Sequence, residues 1–260
     1  MASPISLAGK VAIITGASSG IGAATSVLFS KLGAKLALSG RNADNLKETS
    51  DSCKECCQEE PLIVVGDVTA EGSRRDLIDR TVDKFGKIDI LINNAGILTT
   101  GNIENTTLEA YDNIMDTNVR SVFHLTALAV PHLIQTKGSI VNLSSITGIK
   151  AFSGLLGYCL SKAAIDQMTR CVSLDLAPKG VRVNAINPGV IVTNLHKRGG
   201  LSEEAYATFL ENCKASHPLG RPGDVEEVAN TIAFLASDAS SFITGVSLPI
   251  DGGRHNLCPR

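Results

Sequence analysis

Hydrophobic positions in this chain fall into short apolar runs separated by longer segments of helical periodicity. The runs are rich in strand-forming residues and occupy 11–15, 35–39, 62–66, 89–93, 139–143, 181–187 and 246–250. The early runs are apolar at consecutive positions instead of alternating, which is typical of strands buried on both faces of a parallel sheet. We therefore predict that each of these runs is a strand.

The segments between the runs have apolar residues at helical spacing. In one of them Ile165, Met168, Val172 and Leu176 recur at helical steps, and Pro178 follows. Alternation of strands and helices predicts a parallel sheet with helices on both faces. No repeat, low-complexity tract or linker interrupts the alternation, so we predict one doubly wound α/β domain over 1–260.

Charge and hydropathy limit the classes of partner. The 260 residues include 24 Lys and Arg against 26 Asp and Glu, without a long basic run. Nucleic acid and anionic membranes are therefore not expected partners. The longest mainly apolar stretch, "VFHLTALAVPHLI", contains two histidines and a proline, and a membrane span needs about 18–20 apolar residues. Because the N-terminus has no apolar signal core, we expect a cytoplasmic protein.

The seven cysteines and five histidines do not predict a metal site. Cys53, Cys56 and Cys57 contain a C-x-x-C pattern in a charged segment, but no second ligand pair follows at metal spacing. Structural zinc sites take four ligands. We interpret these cysteines as reduced residues on a helix surface and predict no metal; the histidines are scattered singly.

A glycine-rich turn after the first strand predicts a phosphate site. "TGASSGIG" spans 15–22 and is followed by a helical pattern through Leu32. Gly16, Gly20 and Gly22 allow a tight turn and a close approach of the backbone to a ligand. The free N–H groups and the positive dipole end of the following helix suit a pyrophosphate. We therefore predict dinucleotide binding here.

Further motifs follow in order, "NNAG" at 93–96 and Y-x-x-x-K at 158–162. A serine lies thirteen residues before the tyrosine, and "PGVIVT" (188–193) follows the sixth predicted strand. With the glycine-rich turn, these motifs resemble the short-chain dehydrogenase/reductase family, in its branch of single-domain chains similar to 3-oxoacyl-ACP reductases and carbonyl or hydroxysteroid reductases. The resemblance covers essentially the whole chain. It implies a Rossmann fold, an oxidoreductase activity and a homotetramer.

The residues after the second strand predict the choice of cofactor. In dinucleotide folds an acidic residue there binds the adenosine ribose, whereas an arginine accommodates a 2′-phosphate. Here the strand runs into "SGRN", with Gly40 at the position of the acid and Arg41 next. A guanidinium binds phosphate through two parallel hydrogen bonds, and no carboxylate is placed to repel that phosphate. We predict NADP(H) over NAD(H); the alternative is that Arg41 is a solvated loop charge.

Tyr158 and Lys162 lie one helical turn apart and predict proton transfer. A free tyrosine has a pKa of about 10, and lowering it by about 2–3 takes on the order of 3–4 kcal/mol. A lysine ammonium on the same helix face, shielded from water, can supply a field of that size. We predict that Lys162 lowers the pKa of Tyr158, and that Tyr158 exchanges a proton with the substrate oxygen.

The resemblance implies the remaining site residues. Asn118 and Ser145 complete the catalytic set with Tyr158 and Lys162, and Ser144 is the alternative to Ser145. Thr193 is expected on the nicotinamide carboxamide, and Lys162 on the nicotinamide ribose. The full expected cofactor set is Thr15, Gly16, Ser18, Ser19, Gly20, Ile21, Gly22, Arg41, Asn42, Asp67, Val68, Asn94, Ala95, Gly96, Tyr158, Lys162, Pro188, Gly189, Ile191 and Thr193.

Substrate contacts are expected from segments that vary within the family. An insert at 194–220 contains Ser202, suited to cap a helix, between flexible glycines and a proline, and we predict that it forms a substrate lid. Apolar candidates for the pocket wall predict a lipophilic ketone or secondary alcohol; the alternative is that they belong to the core or a subunit contact. These candidates are Ile97, Leu98, Phe152, Leu155 and Leu156.

Two other classes of function remain open. A nucleotide-binding sensor or scaffold without turnover would keep the glycine-rich turn, but it has no need of the four catalytic residues. Sugar epimerases and dehydratases share the Tyr–Lys pair on longer chains with a separate substrate domain, for which these 260 residues leave no room.

Overall fold

The apolar runs form one sheet in the computed structural model, which describes residues 5–57 and 59–257. Each predicted run forms a strand whose ends differ from the prediction by no more than one residue. The strands are β1 Val11–Thr15, β2 Lys35–Gly40, β3 Leu62–Val65, β4 Ile90–Asn93, β5 Ser139–Leu143, β6 Arg182–Pro188 and β7 Ser247–Ile250.

Helices connect successive strands. They are α1 Gly20–Lys31, α2 Ala43–Cys56, α3 Glu71–Phe85, α4 Leu108–Met115, α5 Ser121–Thr136, α6 Leu156–Leu176, α7 Leu195–Arg198, α8 Glu203–Ser216 and α9 Val225–Ala236. A π-helical turn, Asp116–Arg120, joins α4 to α5. Short 3₁₀ turns lie at Ile146–Gly148, Ala177–Lys179, Asp238–Ser240 and Arg254–Asn256.

All strand pairs are parallel, in the order β3-β2-β1-β4-β5-β6-β7. This sheet and its helices confirm the predicted doubly wound α/β fold. The strand order reverses between β1 and β4, and ligands of such sheets bind in the crevice at the carboxyl ends of the strands beside that point. The glycine-rich turn after β1 and the segment after β4 both lie there.

Two apolar cores cover the two faces of the sheet. Ile14 of β1 belongs to the core that includes Phe29 of α1 and Ile232 of α9. Ile13, its neighbour, belongs to the opposite core with Leu77 of α3 and Leu125 of α5. Successive strand residues therefore point into different cores, which explains why the runs are apolar at every position.

The cysteine segment forms part of α2, but its predicted surface position is wrong for one residue. Cys53 is fully buried in the core on the α1 face, and burial raises the pKa of its thiol to about 12. Cys57 lies nearer the surface, where its Sγ is 2.9 Å from Ser30 Oγ. The sequence spacing predicted the helix, but it did not predict which face of α2 packs against α1.

The predicted lid contains α7 and α8. Ser202 caps α8 as expected, because its hydroxyl accepts a hydrogen bond from the Ala205 N–H. Tyr206 and Cys213 form the buried side of this helix. Among the described residues, no helix has the length and apolarity needed to cross a membrane.

Candidate active site

The turn after β1 forms a cradle for a phosphate. Gly16 and Gly20 have φ values of +64° and +56°, which L side chains rarely adopt. Helix α1 starts at Gly20 with no acidic residue in its first turn, and the side chain of its N-cap, Ser19, makes no capping hydrogen bond. The first N–H groups of α1 are therefore available to an anionic ligand.

Gly22 packs directly behind this cradle. A Cβ atom at Gly22 would overlap the Gly16 carbonyl oxygen and the side-chain amide of Asn94. Only a residue without a side chain lets α1 approach the turn this closely. The site therefore fits the pyrophosphate of a dinucleotide by the shape of its backbone.

The first two sequence motifs are hydrogen-bonded into one unit. The Thr15 hydroxyl accepts from the backbone N–H groups of Asn94 and Ala95, at 3.0 Å each. In return, the Asn94 side chain donates to the carbonyl of Thr15 at 2.8 Å and to that of Gly16 at 3.2 Å. Thr15 and Asn94 thereby fix the phosphate turn against the end of β4.

A cavity of about 410 Å³ runs along the carboxyl ends of the strands. Its lining contains every residue of the expected cofactor set except Thr15 and Gly22, which lie behind the turn. The lining residues are Gly16, Ser18, Ser19, Gly20, Ile21, Gly40, Arg41, Asn42, Gly66, Asp67, Val68, Asn94, Ala95, Gly96, Ile97, Thr117, Leu143, Ser144, Ser145, Tyr158, Lys162, Pro188, Gly189, Ile191, Thr193, Asn194, Leu195, His196 and Arg198.

Gly40 and Arg41 lie at one end of this cavity. A Cβ at Gly40 would lie 3.2 Å from Ser18 Oγ, so a larger residue there would press on the phosphate turn. Asp67 Oδ2 lies 3.9 Å from the Arg41 guanidinium, so a carboxylate stands beside the residue expected to bind a 2′-phosphate. The pKa of Asp67 is lowered: burial acts to raise it, but hydrogen bonds from Thr69 and the charge of Arg41 outweigh burial. Arg41 therefore has an exposed carboxylate neighbour that the linear sequence did not reveal.

Tyr158 and Lys162 lie in the first turns of α6 and face the same cavity. Both are buried, with 7% and 5% of their surface exposed. Lys162 Nζ donates a 2.7 Å hydrogen bond to the carbonyl of Leu143, at the end of β5, and lies 5.6 Å from the centroid of the Tyr158 ring. The helical spacing in the sequence thus brings the phenol and the ammonium into one site.

The protein shifts both pKa values, but not as the sequence predicted. Burial raises the pKa of Tyr158 to about 12, and a hydrogen bond with Ser145 only partly opposes the rise. Burial also lowers the pKa of Lys162 to about 8, against the attraction of Asp166. The predicted lowering of the Tyr158 pKa is therefore wrong for the protein alone, because desolvation penalises the phenolate more than its neighbours stabilise it.

Ser144 and Ser145 have different partners. The Ser144 hydroxyl donates to the carbonyl of Lys162 at 3.1 Å and so holds α6 against β5. The Ser145 hydroxyl accepts from the Thr147 N–H at 3.1 Å and interacts with Tyr158. This division of contacts favours Ser145 as the serine that meets a substrate oxygen.

Asn118 lies in the π-helical turn and is 1% exposed. Its side-chain amide exchanges two hydrogen bonds with the backbone of Ile97, accepting at 2.8 Å and donating at 2.9 Å, and donates to Ser161 Oγ at 3.1 Å. These bonds tie the segment after β4 to α6. In this arrangement Asn118 positions the catalytic helix through Ile97 and Ser161.

The segment after β6 is held by two residues of the predicted lid region. The Tyr206 hydroxyl donates to the carbonyl of Thr193 at 2.9 Å and accepts from the Thr193 N–H at 3.2 Å. Buried His217 accepts from the Val190 N–H at 3.2 Å through Nε2. Helix α8 and its C-terminal end therefore fix the backbone next to the expected nicotinamide contacts.

The predicted apolar pocket residues do not all reach the cavity. Ile97 lines it, whereas Leu98, Phe152, Leu155 and Leu156 are not among its lining residues. Leu98 packs toward Gly199, and the Phe152 ring is covered by the Arg254 guanidinium at 5.1 Å. The substrate role of these residues stays a prediction.

The sequence analysis missed His196 and Arg198, which line the cavity. Burial and the charge of Arg254 lower the pKa of His196, whose ring packs 4.7 Å from that of Phe209. Both residues belong to the "LHKR" segment that begins two residues after Thr193. Two indications were present in the sequence, the proximity to Thr193 and the place of both residues in the predicted lid, but neither singles out these two side chains.

Three comparisons agree with this fold and show the family. A family model described as enoyl-(acyl carrier protein) reductase matches residues 16–255. A 3-oxoacyl-[acyl-carrier-protein] reductase from Thermotoga maritima is 40% identical over 251 residues, which are 95% of this chain and 98% of the relative.

Solved structures are similar over nearly the whole chain. A short-chain dehydrogenase/reductase of unknown function from Caenorhabditis elegans, solved with cofactor, has a TM-score of 0.91 at 36% identity and 97% coverage of each chain. Carveol dehydrogenase from Mycobacterium avium, solved in complex with NAD, has a TM-score of 0.90 at 29% identity, covering 96% of this chain and 99% of the other.

Fold, site and relatives together define an oxidoreductase that acts on carbonyl and alcohol groups. The chain belongs to the short-chain dehydrogenase/reductase family, as its motifs indicated, and is similar to 3-oxoacyl-ACP reductases.

The packing of Gly22 generates a test of the cradle. Replacing Gly22 by Ala forces a methyl group onto the Gly16 carbonyl, and we expect unfolding free energy to fall by about 1–3 kcal/mol, as for other overpacked sites. NADPH affinity should fall as the turn moves. Urea unfolding and titration of NADPH fluorescence measure the two effects.

Gly72→Ala is the matched control, because Gly72 lies inside α3 with no atom within 4 Å of its would-be Cβ. Because Gly72 is the second residue of α3, where helix propensity counts less than in the interior, alanine there should stabilise the protein by less than about 1 kcal/mol. Equal effects of the two substitutions would contradict the close approach of α1 to the turn.

Proposed function

We propose that this protein is an NADP(H)-dependent oxidoreductase that interconverts a lipophilic ketone and a secondary alcohol, with Tyr158 as proton donor and acceptor. One observation carries the proposal. The Tyr158 hydroxyl, Ser145 and the Lys162 ammonium lie in the same cavity as the glycine-rich phosphate turn.

The chain's own groups supply the proton chemistry. A bound nicotinamide supplies or accepts the hydride. Tyr158, whose pKa is raised to about 12, keeps its proton through the neutral range and is suited to donate it to a carbonyl oxygen. The Ser145 hydroxyl is placed to hold that oxygen by a hydrogen bond as negative charge develops on it.

Lys162 serves this site by its position. One of its N–H groups is used by the carbonyl of Leu143, and an ammonium has three donors. The other two are available to the hydroxyls of a nicotinamide ribose, as expected from the family. In the oxidation direction Tyr158 accepts a proton from an alcohol and must first be a phenolate. The positive charge of Lys162 attracts that phenolate.

The preference for NADP(H) is supported by Gly40 and Arg41 at the adenosine end. The position before Arg41 has no acidic side chain, and Ser18 leaves little room for one. Arg41 is 70% exposed in its side chain and reaches only a 3.9 Å contact with Asp67, so a 2′-phosphate could recruit it. The carveol dehydrogenase from Mycobacterium avium was solved with NAD, so chains of this fold take either cofactor and the adenosine end decides between them.

The substrate class is supported by the apolar part of the cavity. Ile97, Leu143, Ile191 and Leu195 are aliphatic residues among those that line the cavity. The Thermotoga maritima relative is named for a 3-oxoacyl thioester substrate. A 3-oxoacyl thioester, a steroid ketone or a comparable small carbonyl compound fits this combination.

Replacing Tyr158 by Phe tests the catalytic role. The variant keeps the ring and removes the proton, so turnover of the best ketone should fall by about 10²- to 10⁴-fold, the usual contribution of general acid–base catalysis. The measurement is a screen of 3-oxoacyl thioesters, steroid ketones, small ketones and sugars with NADPH and with NADH.

Tyr111→Phe is the control for this experiment, since Tyr111 lies on α4 outside the cavity lining. It should keep full turnover. Near-native turnover by Y158F would overturn the mechanism, and activity restricted to sugars would overturn the lipophilic substrate. Tight NADPH binding with no turnover of any carbonyl compound would favour the sensor or scaffold alternative.

Replacing Arg41 by Ala tests the choice of cofactor. We expect kcat/KM for NADPH to fall by about tenfold, since hydrogen bonds to charged groups contribute about 1.5–3 kcal/mol and this site is exposed. The value for NADH should change little, so the ratio of the two values is the measurement.

Arg75→Ala, which removes an exposed arginine paired with Glu71 on α3, should leave the ratio unchanged. A wild-type preference for NADH would refute the proposal.

We also propose that the protein is a homotetramer. Exposed apolar side chains on neighbouring helices support this, including Phe123 of α5, which is 61% exposed, and Leu174 of α6, which is 77% exposed. An apolar depression beside Phe123 is lined by Met115, Val119 and Met168.

Light scattering measures the assembly directly. The wild-type protein should have about four times the subunit mass, and Phe123→Glu should lower it, because burying an unpaired carboxylate at a subunit contact is costly. Glu109→Gln, an exposed change on α4, should not alter the mass. A monomeric wild-type protein would contradict the proposal.

A further inference from the structure

Helix α7 connects the lid to the phosphate turn. Its last residue, Arg198, donates a 3.2 Å hydrogen bond from Nη1 to Ser19 Oγ, between residues 179 positions apart in the chain. Both side chains line the cavity. At the root of the lid, Thr193 packs on the same turn, since a Cβ at Gly20 would lie 3.2 Å from Thr193 Cγ2.

Arg198 differs from the neighbouring cation in having no anionic partner. Lys197 pairs with Glu203 at 2.7 Å and lies over the Tyr206 ring. Within 5–57 and 59–257, no carboxylate forms an ion pair with Arg198, and its hydrogen bond goes to the neutral Ser19 hydroxyl. Arg198 is an exposed residue at the edge of the cavity, so its remaining donors face solvent and are free to bind a ligand.

The hydrogen-bond partner of Arg198 lies at the positive end of a helix. Ser19 is the N-cap of α1, where the side chain makes no capping hydrogen bond and the first turn has no acidic residue. The dipole of α1, its free N–H groups and the charge of Arg198 therefore converge on one region without a negative charge to balance them. An anionic ligand between α1 and α7 would satisfy all three.

We propose that Arg198 binds the pyrophosphate of the dinucleotide from the side opposite α1, and that this contact fastens the lid over the cavity. The inference rests on the proposed function, which places the dinucleotide in this cavity. The pyrophosphate is the group concerned because Ser19 stands at the N-cap position of α1, beside the glycine-rich turn, whereas Arg41 follows β2 at the adenosine end.

The contact links cofactor binding to the nicotinamide segment. From Arg198 the chain leads back through Leu195, whose N–H donates to Thr193 Oγ1 at 3.3 Å. Tyr206 of α8 holds the Thr193 backbone from the other side. An anion that draws Arg198 toward α1 therefore also fixes α7, α8 and Thr193.

Arg198→Gln tests the proposal by binding and by hydrogen exchange, without any turnover. We expect the Kd values of NADPH and NADH to rise by a similar factor of about ten, as for the loss of a charge-assisted hydrogen bond. The ratio of the two Kd values should stay constant, unlike the effect of Arg41→Ala. ADP-ribose, which carries the pyrophosphate, should lose affinity likewise, whereas adenosine 2′-phosphate, which lacks it, should not.

Amide hydrogen exchange of 203–216 reports on the lid. NADPH and ADP-ribose should slow exchange there in the wild-type protein and much less in R198Q at saturating ligand. Arg198→Lys should restore part of the protection, because it keeps the charge but not the planar fork. Lys214→Gln is the matched control, since it removes one lid cation that pairs with Glu211 on the surface of α8.

The outcomes separate the two proposals. If the wild-type protein binds NADPH or NADH and R198Q binds both as tightly, with the same lid protection, this inference alone is overturned. An equal loss of adenosine 2′-phosphate binding would also overturn it, since the effect would not be specific to the pyrophosphate. If the wild-type protein binds neither dinucleotide, the proposed function fails and this inference fails with it.

Discussion

Burial of the Lys162 ammonium is the constraint on which the site depends. A charged group taken out of water must find partners, and here one carbonyl, that of Leu143, accepts directly from Nζ at 2.7 Å. The electron-rich face of the Tyr158 ring and the negative charge of Asp166, one helical turn further along α6, add attraction. The effect of burial is larger than these attractions and lowers the pKa of Lys162 to about 8. The buried ammonium therefore carries a desolvation cost, which a ligand with acceptor oxygens would reduce.

Behind the catalytic residues, a buried polar network fixes the geometry that this burial requires. Asn187 at the end of β6 donates to the Ser145 carbonyl at 2.8 Å and to both carboxylate oxygens of Asp166. A Cβ at Gly148 would overlap the Asp166 carboxylate, so the turn after Ser145 lies directly on it. Burial raises the pKa of Asp166, which shows that this carboxylate too is desolvated. Because all members are buried and bonded to each other, Ser145 and α6 cannot shift independently.

The sequence predictions were accurate where they depended on residues close together in the chain, and less accurate where they depended on contacts between distant segments. Strands, the glycine-rich turn and the Tyr158–Lys162 spacing depend on residues a few positions apart, and the structure places them as expected. The approach of Asp67 to Arg41, the burial of Cys53 and the direction of the Tyr158 pKa depend on packing between distant segments. Arg198 was missed for the same reason, since its partner Ser19 is brought near only when the lid folds back over β1.

The two halves of the cavity, beside the glycine-rich turn and beside the predicted lid, are built in different ways. The nucleotide half consists of strand ends joined by hydrogen bonds between backbone and short side chains, such as Thr15 with Asn94 and Asn118 with Ile97. The other half is bordered by α7, which together with α8 contacts the strand ends mainly through side chains, Tyr206 to Thr193 and Arg198 to Ser19. Changes in the lid can therefore reshape the pocket while the proton donor, the ammonium and the phosphate turn stay in place. Tyr206 and Arg198 join the predicted lid to the strand ends, so their contacts decide how a changed lid would sit over the cavity.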